Sequence, residues 1–158
     1  MDNFKHLDES GRAAMVNTSE KKSSLRFAAA RSLVTFPSLI LEKLKEDGMQ
    51  THKGSVLQIA IIAGIMAAKK TGELIPLCHP IGLDNCDIKI DFNQDNDLEI
   101  YCTASVTAKT GVEMEAMMGA SIAALTVYDM CKSMSHDIVI KEIKLLQKTG
   151  GKNDFKRS

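Results

Sequence analysis

One stretch of this chain, residues 111–134, most constrains the fold because it predicts a helix that is buried on nearly all sides. From Val112 onward almost every side chain is small or apolar, whereas a surface helix is apolar along one face only. Thr110 followed three residues later by Glu113 is the pattern of a capping box, which predicts that the helix begins near Gly111. We therefore expect the rest of the chain to be organised around this helix.

The few charged residues of the predicted helix lie at its two ends. Glu113 and Glu115 fall in the first turn, where the helix dipole favours carboxylates, and this alone explains them structurally. Asp129 and Lys132 share a face near the other end, either as an ordinary surface pair or as an acid–base pair whose lysine pKa is lowered by desolvation. Fourteen residues separate Glu115 from Asp129, about 21 Å along a helix. One pocket therefore uses both ends only with help from other loops or a second subunit.

The flanking sequence predicts an α+β domain. Residues 25–36 alternate as a strand does but are rich in alanine, and the strand is favoured because Pro37 pushes Phe36 into an extended conformation. The remaining predicted elements are two helices, a β-hairpin and a last strand, at residues 38–48, 55–71, 87–92 with 98–106, and 138–145. This order packs most economically as a ferredoxin-like fold, an antiparallel or mixed four-stranded sheet with helices on one face.

Composition narrows the functional classes. The 158 residues, with twenty acidic and twenty basic side chains, predict a single domain, 1–158, without a global field that recruits nucleic acid or a membrane. Four cysteines without a CxxC motif predict reduced thiols and a cytosolic location, and no run reaches the ~18 apolar residues of a membrane span. Polar sequence at either end predicts a mobile N-terminal arm, residues 1–23, and a flexible tail, residues 150–158.

Outside the central helix, one histidine and a set of basic residues are candidates for function. His79 lies in a loop made rigid by Pro76 and Pro80, and it is either a structural histidine or a ligand or proton shuttle. Because the histidines have no HxxxH or CxxC companions, we predict no metal site. Basic residues at the boundaries of elements could together bind a phosphorylated small molecule: Arg26, Lys53, Lys109, Lys148 and Lys152.

Four strings in this order resemble the cyclic pyranopterin monophosphate synthase (MoaC) family: LIPLCHP (74–80), KTGVEMEA (109–116), ALTVYDMCK (124–132) and GGK (150–152). The resemblance covers nearly the whole chain. It implies a lyase of molybdenum cofactor biosynthesis that converts 3′,8-cyclo-7,8-dihydro-GTP into cyclic pyranopterin monophosphate, releasing pyrophosphate and using no redox cofactor. It also implies a ferredoxin-like subunit in a hexamer, a trimer of dimers, with active sites at the dimer interface.

The matching motifs imply roles for individual residues. Asp129 would be the catalytic acid or base and Lys132 its partner, and Lys53 would be a further catalytic or phosphate-binding lysine. Arg26 and Lys148 would hold the triphosphate. The substrate pocket would be lined by Leu77, Cys78, His79, Glu113, Met114 and Glu115.

Two departures from the family pattern and one rival function remain open. Ser55 stands where the family often has Asp, and it serves equally well as a helix cap. Residues 117–119, Met-Met-Gly, replace Leu and small residues, which puts the local packing at Gly119 in doubt. The alternative to an enzyme is an oligomeric module that binds a nucleotide or pterin without catalysis.

Overall fold

The computed structural model describes residues 10–157, so residues 1–9 of the predicted arm lie outside the described residues. Eleven elements follow in chain order within this part: β1 Ser24–Thr35, α1 Ser38–Glu46, β2 Gln50–Thr51, β3 Gly54–Ser55, α2 Val56–Lys69, α3 Thr71–Leu74, β4 Asn85–Phe92, β5 Leu98–Ala108, α4 Glu113–Cys131, β6 Val139–Thr149 and β7 Phe155–Lys156. No helix among these is long and apolar enough to cross a membrane.

The main sheet has the strand order β4-β5-β1-β6-β7, and every pairing in it is antiparallel. The long strands and the two main helices alternate as β1, α2, β4, β5, α4 and β6, the order of a ferredoxin-like fold. The predicted α+β fold is therefore confirmed. The prediction of four strands was one strand short, because β7 in the C-terminal tail pairs with Gln147 and Lys148 of β6.

Strand β1 lies at the centre of the sheet and confirms the choice of strand over helix for this alanine-rich segment. Its small and apolar side chains Ala28, Ala30 and Val34 are fully buried on the face that the helices cover. The Ser32 hydroxyl on the same face donates a hydrogen bond to the Ala120 carbonyl of α4 at 2.9 Å. Strand β1 therefore forms one side of the hydrophobic core and is hydrogen-bonded directly to α4.

Helices α2 and α4 pack against each other through glycines. A Cβ atom on Gly64 of α2 would lie 2.7 Å from the Gly119 carbonyl oxygen of α4, closer than real contacts allow. A Cβ atom on Gly119 would lie 2.4 Å from Sγ of Cys102. The absence of a side chain at position 119 therefore leaves room for the Cys102 sulfur atom. Gly119, which departs from the family pattern, is thus well packed in this protein.

The observed start of α2 agrees with the sequence prediction, whereas the observed start of α4 differs from it. The Ser55 side chain accepts a hydrogen bond from the Gln58 N–H and caps α2. The predicted capping box at Thr110 was wrong, because α4 begins at Glu113 without any side-chain cap. The Glu113 carboxylate instead forms an ion pair with Lys148 of β6, at 3.1 Å. Glu113 therefore interacts with Lys148, which is distant in sequence, and not with the predicted capping residue Thr110.

The described parts of the two termini follow irregular paths against the domain. Residues 10–23 contain turns and bends but no helix or long strand, and β7 follows a turn in which the Gly150 N–H donates to the Asp154 carboxylate. The flexibility predicted for residues 1–23 and 150–158 stays a prediction.

Candidate active site

The C-terminal end of α4 carries a cluster of opposite charges, Lys53, Asp129 and Lys132, which we call the acid–lysine cluster. The Lys132 amino group lies 2.7 Å from one oxygen of the Asp129 carboxylate, and the Lys53 amino group lies 2.9 Å from the other. Lys53 also donates to the Asp129 backbone carbonyl at 3.0 Å. The three residues that the sequence singled out as catalytic are therefore brought together.

A short hairpin holds Lys53 in this position. Strands β2 and β3 are two residues each, and Lys53 lies in the turn between them with its N–H bonded to the Thr51 hydroxyl at 3.2 Å. Gly54, which follows, has φ of 112°, a conformation that favours glycine. The His-Lys-Gly string thus makes a tight turn that directs Lys53 at the end of α4.

The charges of the acid–lysine cluster stabilise one another. Hydrogen bonds from Lys132 and then Lys53 lower the pKa of Asp129 to about 2, so this carboxyl is ionised at neutral pH. The hydrogen bond to Asp129 raises the pKa of Lys132 in turn. All three side chains are exposed, at 36% for Lys53, 53% for Asp129 and 49% for Lys132. The desolvation that would lower the pKa of a catalytic lysine is therefore not provided by the single chain.

An open cavity of about 440 Å³ borders the acid–lysine cluster. Its lining contains two lysines and two histidines, His52 and His136, to which the sequence analysis assigned no role. The lining residues are His52, Lys53, Lys132, Ser133, Met134, Ser135 and His136. Because the only carboxylate of the cluster is bound by two lysines, this surface suits an anionic group.

A second cavity, of about 490 Å³, lies at the other end of the same helix, and we call it the α4 N-terminal cavity. Seven residues predicted to bind substrate line it together: Leu77, Cys78, His79, Glu113, Met114, Glu115 and Lys148. Arg26 lies beside this lining and donates to the carbonyls of Ala108 and Lys109 at 3.3 and 3.5 Å. The sequence therefore predicted most of this cavity by residue.

Burial raises the pKa of two groups in the α4 N-terminal cavity, Glu115 and Cys78. Glu115 is only 3% exposed, and burial raises its pKa. Burial also raises the pKa of the Cys78 thiol, and the nearby Glu115 adds to this effect. Cys78 is therefore a neutral thiol at neutral pH, a hydrogen-bonding and packing group rather than a nucleophile.

The sequence analysis missed the contribution of the N-terminal arm to this cavity. Val16, Thr18 and Lys21 line it, and the Val16 carbonyl lies 2.8 Å from Nε2 of His79. The arm has no hydrophobic periodicity, so its path could not be read from the sequence pattern. Residues 16–21 stand out only by their polar composition, which does not predict where the segment lies in the fold.

The single chain does not unite the two groups of candidate residues. The linings of the two cavities share no residue, and they lie at opposite ends of α4. The fourteen-residue spacing between Glu115 and Asp129 corresponds to about 21 Å of helix, as expected from the sequence. Among residues 10–157, no three histidine, cysteine or acidic side chains lie close enough to hold a metal ion.

Comparison with known proteins gives matches along nearly the entire chain. Residues 15–151 match the model of the MoaC family. The cyclic pyranopterin monophosphate synthase of Xanthomonas campestris pv. campestris (strain B100) is 49% identical over 150 residues, which cover 95% of this chain and 91% of that protein. The enzyme of the same name from Lysinibacillus sphaericus (strain C3-41) is 48% identical over 156 residues, covering 97% and 96%.

A longer relative contains the same unit. The molybdenum cofactor biosynthesis bifunctional protein of Synechocystis sp. (strain ATCC 27184 / PCC 6803 / Kazusa) is 47% identical over 159 residues. The match covers 98% of this chain and 46% of that protein. The similarity is therefore to one part of a larger chain in that case and to nearly whole proteins in the others.

Proposed function

This chain belongs to the MoaC family, and we propose that it acts as a cyclic pyranopterin monophosphate synthase. The enzyme is a lyase of molybdenum cofactor biosynthesis that converts 3′,8-cyclo-7,8-dihydro-GTP into cyclic pyranopterin monophosphate and pyrophosphate. The structural observation that carries the proposed chemistry is the convergence of Lys53 and Lys132 on the Asp129 carboxylate. The reaction needs proton transfers in both directions, which an acid and lysines in direct contact can supply.

The acid–lysine cluster acts after it is covered. In the open chain Asp129 is a weak base, because its lysine partners hold its pKa at about 2. Removing water from the cluster raises the pKa of a carboxyl and lowers that of an ammonium group, so both move toward neutrality. Covering by substrate or by a second subunit therefore converts a stable ion pair into groups that can exchange protons.

The phosphate chemistry follows from the same groups. A ribose hydroxyl attacks the α-phosphorus, the new O–P bond forms, and the bond to the β-phosphate oxygen breaks so that pyrophosphate leaves with the electron pair. Asp129 accepts the proton of the hydroxyl, and the ammonium groups of Lys53 and Lys132 stabilise the charge on the phosphoryl oxygens. No redox step occurs.

The α4 N-terminal cavity binds the rest of the substrate. His79, Met114 and Glu115 hold the ring system, with the buried Glu115 carboxyl, whose pKa is raised by burial, as a hydrogen-bonding group in the wall. Arg26 and Lys148 bind phosphate oxygens at the edge of this cavity. Leu77, Cys78 and Glu113 complete the wall, with Glu113 orienting Lys148 through their ion pair.

We propose that the complete site forms between two subunits of a hexamer arranged as a trimer of dimers. The support is that the acid–lysine cluster and the α4 N-terminal cavity lie at opposite ends of one helix, so that a partner can bring one of each together. The helices also carry apolar side chains that are more than half exposed, which suits a contact with a second copy of the chain: Ile62 and Met66 on α2 and Leu125 on α4. We also propose the cytosolic location that its four free cysteines favour.

The direct experiment supplies the protein with 3′,8-cyclo-7,8-dihydro-GTP and follows phosphorus NMR signals and chromatography. We expect one pyrophosphate for each cyclic pyranopterin monophosphate formed. A protein that binds the substrate tightly but releases no pyrophosphate would instead be a binding module, and the enzymatic proposal would be wrong.

A further inference from the structure

Residues 16–21 of the N-terminal arm, which we call the clasp, are anchored at two points, one in the wall of the α4 N-terminal cavity and one at Lys109, the residue before Thr110 of that wall. The Val16 carbonyl accepts a hydrogen bond from Nε2 of His79 at 2.8 Å. The Ser19 carbonyl accepts one from the Lys109 amino group at 2.7 Å. Between and beyond these anchors, Thr18 and Lys21 line the cavity. The clasp is therefore part of the cavity and not merely a neighbour of it.

The first anchor fixes the proton on His79. A backbone carbonyl has lone pairs and no proton, so it can only accept, and Nε2 of His79 must be the donor. A neutral His79 then carries its proton on Nε2 and leaves Nδ1 as an acceptor. The clasp thus decides which nitrogen of this cavity-lining imidazole can accept a hydrogen bond or a proton.

The charges of the lining single out Lys21. Lys148 is in an ion pair with Glu113, which orients it and offsets part of its positive charge. Glu115 adds a carboxyl that repels an anion whenever it is ionised. Within residues 10–157, Lys21 forms no ion pair, and its side chain is exposed at the cavity. Lys21 is therefore the lysine of the lining whose charge is not already compensated by a described acid.

We infer that the clasp belongs to the substrate site, with Lys21 binding a phosphate group of the substrate and Val16 holding His79 in the Nε2–H form. This inference rests on the proposed function, whose substrate carries a triphosphate. A lysine on an anchored segment is well suited to this role, because the anchors remove part of the entropic cost of ordering the segment on binding. The clasp would then contribute to affinity for phosphate rather than to the chemical step.

The chain offers a matched control for Lys21 in the next residue. Lys22 is exposed, has the same charge and does not line the cavity. We compare Lys21→Met, Lys21→Arg and Lys22→Met in the full chain by steady-state kinetics with 3′,8-cyclo-7,8-dihydro-GTP. Calorimetry with inorganic tripolyphosphate at low salt gives the phosphate affinity independently.

For Lys21→Met we expect KM and the tripolyphosphate Kd to rise about tenfold, the value of one charge-assisted hydrogen bond. The kcat should stay within about twofold, because a contact made equally to substrate and transition state changes only KM. Lys21→Arg should recover most of the affinity, and Lys22→Met should match the parent. Equal constants for Lys21→Met and Lys22→Met would overturn the assignment, as would an absence of tripolyphosphate binding to the parent chain.

The two proposals fail in distinguishable ways. A parent chain that forms no product refutes the proposed synthase activity, while the tripolyphosphate comparison still decides the role of Lys21. Nitrogen NMR of the His79 ring tests the anchor separately. We expect the signal of a protonated Nε2 and an unprotonated Nδ1 when the ring is neutral, and the opposite tautomer would overturn the assigned contact with Val16.

Discussion

The amino group of Lys53 lies 2.9 Å from the carboxylate of Asp129, although the two residues are 76 positions apart in the sequence. One is in the turn of a two-residue hairpin and the other is near the end of α4. A hairpin this short has little stability of its own, so its position at the helix end depends on such contacts. The pair therefore links the local structure of the His-Lys-Gly string to the proposed chemistry.

The first prediction concerns the titration of Asp129. Carbon NMR should show its carboxyl titrating at about pH 2, and Lys132→Met should raise this midpoint toward the usual 3.8, because the Lys132 hydrogen bond is the largest cause of the shift. Lys141→Met is the control, since Lys141 pairs with Asp97 and not with Asp129. A midpoint for Asp129 that is the same in the parent and in Lys132→Met would contradict the geometry of the acid–lysine cluster.

The same shift fixes the sign of its effect on stability. The folded-state pKa of Asp129 lies below the unfolded value, so its ion pairs stabilise the fold above about pH 4, and this contribution is lost as the pH falls toward 2. Because the side chains are exposed, we expect a small effect that decreases with added salt. In the single chain, Asp129 therefore stays ionised from about pH 4 to neutral pH.

Glu115→Gln should stabilise the protein at neutral pH, by on the order of 1 kcal/mol, because it removes a buried charge. Burial raises the pKa of Glu115, so the folded state holds the proton more tightly than the unfolded state. Stability of the parent therefore falls as the pH rises through the interval between the unfolded and folded values, and Glu115→Gln lacks this fall. Thermal unfolding at several pH values measures the difference.

The exposed Glu73 provides the control for this experiment. Glu73→Gln should follow the pH dependence of the parent. If Glu115→Gln follows the parent as well, then the carboxyl of Glu115 is not destabilised by burial.

Gly119→Ala should destabilise the protein by about 1–3 kcal/mol, the usual cost of adding a methyl group to a filled core. The added Cβ atom would lie 2.4 Å from Sγ of Cys102. A second change, Cys102→Ala, should recover part of the loss in the double variant because it removes that sulfur atom. Gly82→Ala is the control, since no atom lies within 4 Å of a Cβ atom built there. Equal denaturation midpoints for Gly119→Ala and Gly82→Ala would refute the close packing.

Leu125→Glu tests the proposed assembly. Leu125 is exposed on α4, and a charge there should oppose burial against a second copy of the chain. We expect light scattering to give a hexamer for the parent at micromolar concentration and smaller species for the variant, with activity lost in parallel. Leu39→Glu, at a leucine of α1 that is 80% exposed compared with 54% for Leu125, should leave the hexamer intact. A monomeric parent would refute the interface model.

The sequence predicted those features that depend on local pattern. The alternation of β1, the hairpin of β4 and β5, and the Ser55 cap of α2 were all read from neighbouring residues and are confirmed. Strands of two residues, such as β2, β3 and β7, are too short to produce a periodic pattern, and they were missed.

Features that depend on distant partners could not be predicted in the same way. Glu113 pairs with Lys148 instead of capping α4, and His79 bonds to Val16, which is 63 positions away. Neither contact can be predicted from the residues that are adjacent in the sequence. Most residues of the α4 N-terminal cavity outside the arm were predicted from a resemblance to known motifs, which carries such long-range information indirectly. Ile81, Thr110 and Gly111 also line it and were not predicted to do so.

The most direct test of the account is the turnover of Asp129→Asn, with substrate binding measured separately. Asparagine keeps the size of the side chain but cannot take up a proton, so we expect kcat to fall about 10²–10⁴-fold while calorimetry shows the substrate still bound. Asp137→Asn, an exposed acid in the loop after α4, should keep the parent's kcat. Full pyrophosphate release by Asp129→Asn would contradict the assignment of the acid–lysine cluster as the catalytic centre.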